Sequence, residues 1–166
     1  MILGIDPGPK LHGFALLDVT RERRRYVSSG HCDTAEMVAR IGCAKADVEA
    51  VGVEWSTEVL GFGSPARALA IARALLGAQS EASALATHAE VLLLRVERIS
   101  ALDWRRGIVG KKSPTDAQVR AAILRLVEGW PTRSSAGAHA CDAAGVALAA
   151  FNMARGSRRE EVALWI

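Results

Sequence analysis

Apolar positions along this chain fall first into short runs closed by turns and later into helical stripes. Ile2-Leu3-Gly4-Ile5 is an apolar run that ends in Asp6, and Pro7-Gly8 behind it favours a tight turn, because proline fixes φ and glycine tolerates positive φ. Gly13-Phe14-Ala15-Leu16-Leu17-Asp18 predicts a second strand and residues 26–32 a third, joined by the Arg-rich turn over residues 21–25. The amino-terminal part therefore reads as an antiparallel meander. Residues 35–41 predict a short helix and residues 47–54 a buried strand, after which strand and helix alternate. Pro65 stands near the first turn of a helix whose Leu69, Ala72, Leu76 stripe follows the 3.6-residue period, with an end expected at Gly77 or soon after. Residues 88–96 predict a fifth strand, Val91, Leu93 and Arg95 alternating against Leu92, Leu94 and Val96.

Ser113-Pro114-Thr115-Asp116 has the form of a helix start, with Ser113 as cap, Pro114 in the first helical position and an acid where the helix dipole welcomes one. The stripe Val119, Ala122, Ile123, Leu126 continues it, and Gly129 is expected to end it. A last helix over residues 138–153 presents Ala143, Val146, Ala147 and Ala150, small side chains that permit close packing. Three antiparallel strands, then helix-linked strands and terminal helices, imply an α/β layer fold with the sheet covered by helices. At 166 residues and 50% hydrophobic content, the chain reads as one domain (1–166) with a core that needs no staples.

Charge changes this picture little in sum and more in distribution. The net charge of +3 does not by itself announce a nucleic-acid binder, but basic residues cluster at Arg21 to Arg25, at Arg105-Arg106 with Lys111-Lys112, and at Arg155 with Arg158-Arg159. Cys32, Cys43 and Cys141 have no paired short spacing, which argues against a disulfide framework or zinc ribbon and fits a reducing cytoplasm. No uninterrupted apolar stretch reaches membrane-spanning length, and the amino terminus lacks a signal-peptide pattern. A soluble, unprocessed protein is expected.

Candidate chemistry lies in the acids that close apolar runs. Phosphodiester hydrolysis needs charge neutralised on the phosphate, a nucleophilic water and a stabilised leaving oxygen, tasks that two divalent ions about 3.5–4 Å apart share. Asp6 and Glu54, at the ends of two strands able to lie side by side, would put two carboxylates on one sheet edge; His139 and Asp142, three apart, share one face of a helix. Each has an ordinary reading. Asp before Pro-Gly is a common turn former, Glu54 fits an exposed strand end, and His139 and Asp142 suit the first turn of a helix.

Together these segments resemble the RuvC family of Holliday junction resolvases, in the RNase H-like superfamily. The Ile-Leu-Gly-Ile-Asp-Pro-Gly opening with Gly13 beyond it, the strand ending in Glu54, the Gly107-Ile108-Val109-Gly110-Lys111-Lys112 segment leading to Gln118-Val119, and the Asp142-Ala143 helix all follow the family's order. The resemblance spans nearly the whole chain. It implies a mixed five-stranded sheet, a homodimer, and Mg2+-dependent incision of paired strands of a four-way DNA junction. It also implies catalytic, metal-holding roles for Asp6, Glu54, His139 and Asp142, with Asp6 shared between two ions. His139 departs from the family's commoner aspartate, and its nitrogen suits Mn2+ better than Mg2+. By position, Arg105, Arg106, Lys111 and Lys112 are expected at DNA phosphates, and Phe62, between glycines in the loop after Glu54, at the junction centre, although Trp55 and Phe62 also fit a core role.

Competing readings are an RNase H-like nuclease acting on RNA or other branched DNA, and a non-catalytic junction-binding protein. A sugar-kinase or actin-like ATPase shares the opening strand, acid and glycine turn but needs nucleotide-binding regions for which this chain is too short. The helix after Pro65 and the last helix are the expected dimer elements, both rich in small apolar residues.

Overall fold

The apolar run that ends in Asp6 forms the middle strand of a sheet. The computed structural model describes residues 1–55, 65–132 and 137–156. Among these, the strands β1 (Ile2–Asp6), β2 (His12–Val19), β3 (Arg24–Cys32), β4 (Ala50–Trp55) and β5 (Arg95–Ser100) build a five-stranded sheet in the order β3-β2-β1-β4-β5. β1, β2 and β3 pair antiparallel, as the short turns between them dictate, whereas β4 and β5 join parallel after helical crossovers. The helices are α1 (Thr34–Ala44), α2 (Pro65–Val91), α3 (Ala101–Val109), α4 (Asp116–Leu126) and α5 (Gly137–Ala154).

Strand alternation sorts the apolar residues into two cores. Ile2, Ala15, Leu17 and Ala50 pack with α3, α4 and α5 on one face; Leu3, Ile5, Phe14, Val51 and Val53 pack with α1 and α2 on the other. The β1–β4 register pairs Ile2 with Ala50, Gly4 with Gly52 and Ile5 with Val53. One residue further along, the same register sets Asp6 beside Glu54, both on the α5 face. α5 reaches that face closely because the strands beneath it carry glycine. A Cβ on Gly4 would overlap the carbonyl oxygen of Ala143, and one on Gly13 would overlap that of His139.

Several expected boundaries are corrected. The helix after Pro65 does not stop near Gly77 but continues to Val91, burying Ala82, Leu85, Ala86 and Ala89 along one stripe. The strand expected over residues 88–96 is instead the last turn of α2 and its exit, and β5 begins at Arg95. Leu93 takes the left-handed conformation (φ 62°) that usually selects glycine, and the amide of Leu94 reaches back to the carbonyl of Ala89 (3.1 Å). An apolar run thus closes a helix rather than forming a strand. α3 lies where no helix was expected. Thr115, not Ser113, caps α4: its hydroxyl accepts from the Gln118 amide, and the Gln118 side chain accepts from the Thr115 amide (3.1 Å), a reciprocal box that leaves Pro114 outside the helix.

Candidate active site

The carboxylate of Asp6 emerges where β1 ends and is buried beneath α5. Its nearest partner comes from the first turns of that helix. Nδ1 of His139 donates to Oδ2 of Asp6 at 2.5 Å, while the rest of the imidazole remains 60% exposed. Asp142, one helical turn on, accepts from Nη2 of Arg105 at 2.7 Å, and Nη1 of the same guanidinium reaches Oδ1 of Asp116 at 2.8 Å. Glu54 accepts from the indole Nε1 of Trp104 at 2.9 Å. α3 therefore offers consecutive donors, Trp104 and Arg105, to two acids held by β4 and α5.

This concentration of acid on a buried sheet edge shifts its titrations. Burial, reinforced by the negative charge of Asp6 and then of Asp142, pushes Glu54 up to about 7 against the opposing indole hydrogen bond. Burial likewise raises Asp142 to about 6, with Arg105 resisting and Asp6 adding to the rise. His139 moves upward because its hydrogen bond to Asp6 and the surrounding carboxylates favour the imidazolium, although burial opposes this. The group has more negative charge than its surroundings neutralise. Three carboxylates and one imidazole suit a divalent cation, whose charge would relieve that repulsion. No three His, Cys, Asp or Glu side chains among the described residues converge into a ready-made metal cage; each acid is turned to a protein donor instead.

The elements thus bring Asp6, Glu54, His139 and Asp142 to one end of the α5 face. Arg105, expected at DNA phosphate, points inward to Asp142 and Asp116. Arg106 donates through Nε to the carbonyl of Lys112 (2.8 Å), bracing the turn that displays the exposed Lys111 and Lys112. Phe62 lies outside the described residues. Trp55 is half-buried, with the Arg98 guanidinium 5.5 Å from its ring centre. Sequence reasoning missed Trp104 and His31. The imidazole of His31 stands edge-on to that of His139, ring centres 5.8 Å apart. The signal for Trp104 was its spacing from Ile108, a buried pair four apart that marks one face of a helix.

No family model matches the chain. The chain is 30% identical over 151 residues to the crossover junction endodeoxyribonuclease RuvC of Burkholderia multivorans, covering 89% of this chain and 81% of that protein. It is 28% identical over 165 residues to the RuvC of Burkholderia vietnamiensis, at the same coverages. In fold it is similar to Thermus thermophilus RuvC in complex with a Holliday junction substrate (TM-score 0.66, 19% identity, 94% of this chain and 96% of that one). The Fowlpox virus resolvase bound to Holliday junction DNA is more distant (TM-score 0.52, 10% identity, 92% and 97%). The sheet order and helix layers are those of an α/β, RNase H-like fold. With that identity over most of its length, the chain belongs to the RuvC family of crossover junction endodeoxyribonucleases.

Proposed function

We propose that this protein is a single-domain, cytoplasmic, metal-dependent endonuclease that resolves four-way DNA junctions as a homodimer. The observation that carries the reading is the β1–β4 register, which sets Asp6 beside Glu54 under the α5 turn bearing His139 and Asp142. Bound Mg2+ or Mn2+, two ions per site, would supply charge neutralisation at the phosphate and an activated water. Asp6, Glu54, Asp142 and His139 would hold them. Asp6, in contact with His139 and level with Glu54, would serve both ions. Arg105 orients Asp142 and favours its ionised form against the burial that raises it, and the Trp104 indole does the same for Glu54. His139 must give up its proton to bind through nitrogen, and Glu54 must be ionised, so metal loading weakens as pH falls.

Lys111, Lys112 and Arg106 are assigned to DNA phosphates, with Phe62 at the junction centre. The dimer is assigned to α2 rather than α5. α5 is buried against the sheet from Ala140 to Asn152, whereas Leu69 and Leu76 of α2 are 52% and 70% exposed. The described helices include none long and apolar enough to cross a membrane.

The test is incision of a mobile four-way junction with each strand labelled in turn, beside linear duplex, flap and RNA–DNA hybrid, with Mg2+ or Mn2+ added. Paired cuts in opposing junction strands are expected, abolished by chelation. Preferential cutting of flap or hybrid would replace this reading with the broader nuclease one. Binding without incision at any metal concentration would leave a junction-binding protein.

A further inference from the structure

Trp104 is among the most deeply buried side chains of the molecule, 1% exposed, yet its one polar atom is not directed into the core. The indole N–H donates to Oε2 of Glu54 at 2.9 Å. An indole is a donor only, so it fixes which way the carboxylate faces without competing for a cation. The ring cannot drift from this pose. It lies against Gly145 of α5, where a Cβ would overlap the ring atoms, and the Arg105 guanidinium stands 5.4 Å from its centre. The next residue, Arg105, simultaneously holds Asp142. One short helix thereby sets the direction of two acids that come from a strand and a different helix.

On the reading that this site hydrolyses phosphodiesters with bound metal, we propose that Trp104 is a positioning residue, its indole N–H holding the Glu54 carboxylate in the orientation required to accept a divalent cation. The slot over Gly145 is then part of the site's construction, since it admits an indole only while position 145 lacks a side chain. Groups that orient a metal-holding side chain through a hydrogen bond typically matter ten- to a hundredfold in metal affinity or activity, on the order of what is expected here.

The experiment uses full-length protein labelled with 15N at tryptophan. The Trp104 indole resonance, assigned by its loss in Trp104→Phe, should move in Glu54→Gln and on adding Mg2+ to the DNA-free parent. Trp104→Phe keeps an aromatic body in the slot while removing the donor and part of the ring volume, so it should melt below the parent yet stay folded and bind junction as tightly. Its incision should require roughly ten times more metal for half-maximal rate and recover in large part when metal is raised. An indole resonance indifferent to Glu54→Gln would overturn the proposal with no packing change involved. Parental metal dependence in a folded Trp104→Phe protein would overturn it too, leaving the bond merely structural. These failures differ from failure of the proposed function, which would show as a parent protein that cuts no junction at any metal concentration.

Discussion

The two faces of the sheet are packed by different means, and the acids lie on the tighter one. Toward α1 and α2 the strands present Leu3, Ile5, Phe14, Val51 and Val53 to Met37, Ile41 and Leu85, a core of large side chains that fixes separation by bulk. Toward α5 the same strands present Gly4, Gly13 and Gly52 to an alanine-rich helix, so that backbone meets backbone. The first arrangement stabilises. The second positions, because a helix seated directly on β1 has little freedom to move His139 and Asp142 relative to Asp6. Each face also carries a histidine of its own, buried on one and exposed on the other. His12 is enclosed on the α1–α2 side, its Nε2 3.0 Å from Oγ1 of Thr34, which in turn donates to Glu81 (2.9 Å); His139 pairs with Asp6 on the other.

The largest expected contrast sets neighbours in β1 against each other. Asp6→Asn keeps the shape of the side chain but removes a charge from the site, and incision should fall by at least about a thousandfold, the upper range for loss of one electrostatic stabiliser. Junction affinity should persist, because phosphate contacts and their salt dependence supply binding. Ile5→Ala, facing the opposite core, should cost about 2–5 kcal/mol of stability while the folded fraction cuts normally. Urea denaturation and single-turnover incision separate the two effects. An active Asp6→Asn enzyme would remove the site from this face altogether.

Gly4→Ala sharpens the same comparison. The added methyl has only the Ala143 carbonyl and Ala147 to push against, so α5 must lift; overpacking of this kind costs about 1–3 kcal/mol. Incision should fall more than the loss of folded protein explains, since the lift carries Asp142 away from Asp6. If activity tracks the folded fraction, close seating of α5 serves stability alone.

How much of this was legible depends on whether an element's identity was local. β1, β2 and β4 announce themselves by apolar runs between turn residues, and Asp6 and Glu54 are visible as acids closing such runs. The α5 seam is visible only as a stripe of small residues; that it meets Gly4, Gly13 and Gly52 of the strands is set by tertiary packing. α3 was not visible, because within nine residues it buries only Trp104 and Ile108, too few positions to establish a helical stripe. The α2–β5 boundary misleads for the opposite reason: Val91 to Leu94 is strongly apolar, yet Val91 and Leu93 are exposed, Leu93 at 89%, and the strand proper starts on charged residues at an edge. Which acid Trp104 or Arg105 would meet is settled by tertiary packing, on which local pattern is silent.

A third contrast comes from pH. Glu54 and Asp142 titrate higher folded than their ordinary values of 4.5 and 3.8, so between those values and about 7 the native state binds more protons than the unfolded chain. Stability of the metal-free protein must then fall as pH rises from 5 to 8, on the order of 2–3 kcal/mol from Glu54 at ~1.4 kcal/mol per pH unit. Mg2+ or Mn2+ should flatten that decline by binding only the folded site. Denaturation midpoints across this range, with and without metal, check it. A stability that rises steadily toward pH 8 without metal would show that burial and the neighbouring charges do not raise these two acids.

The two histidines provide the finest distinction, since the same side chain is pushed in opposite directions by the two faces. Burial lowers His12, against the pull of Glu81, Asp6 and Asp33, so folding favours its neutral form and its contribution is lost as pH falls below the ordinary value of 6.5. His139 is raised, chiefly by its hydrogen bond to Asp6; its contribution is complete below 6.5 and is lost as pH rises through its folded value. Replacing each by glutamine removes one titration. Relative to the parent, His12→Gln should lose less stability on acidification from pH 7.5 to 5.5, and His139→Gln should gain less. The difference between parent and variant should therefore change sign from one face to the other. Metal distinguishes them further: saturating Mn2+ should shift the parent's pH dependence in the His139 region by competing with the proton, yet leave the His12 difference intact. Equal signs for the two variants would mean that Asp6 does not hold His139 charged in the metal-free protein, and that the imidazole stands ready for metal without first losing a proton.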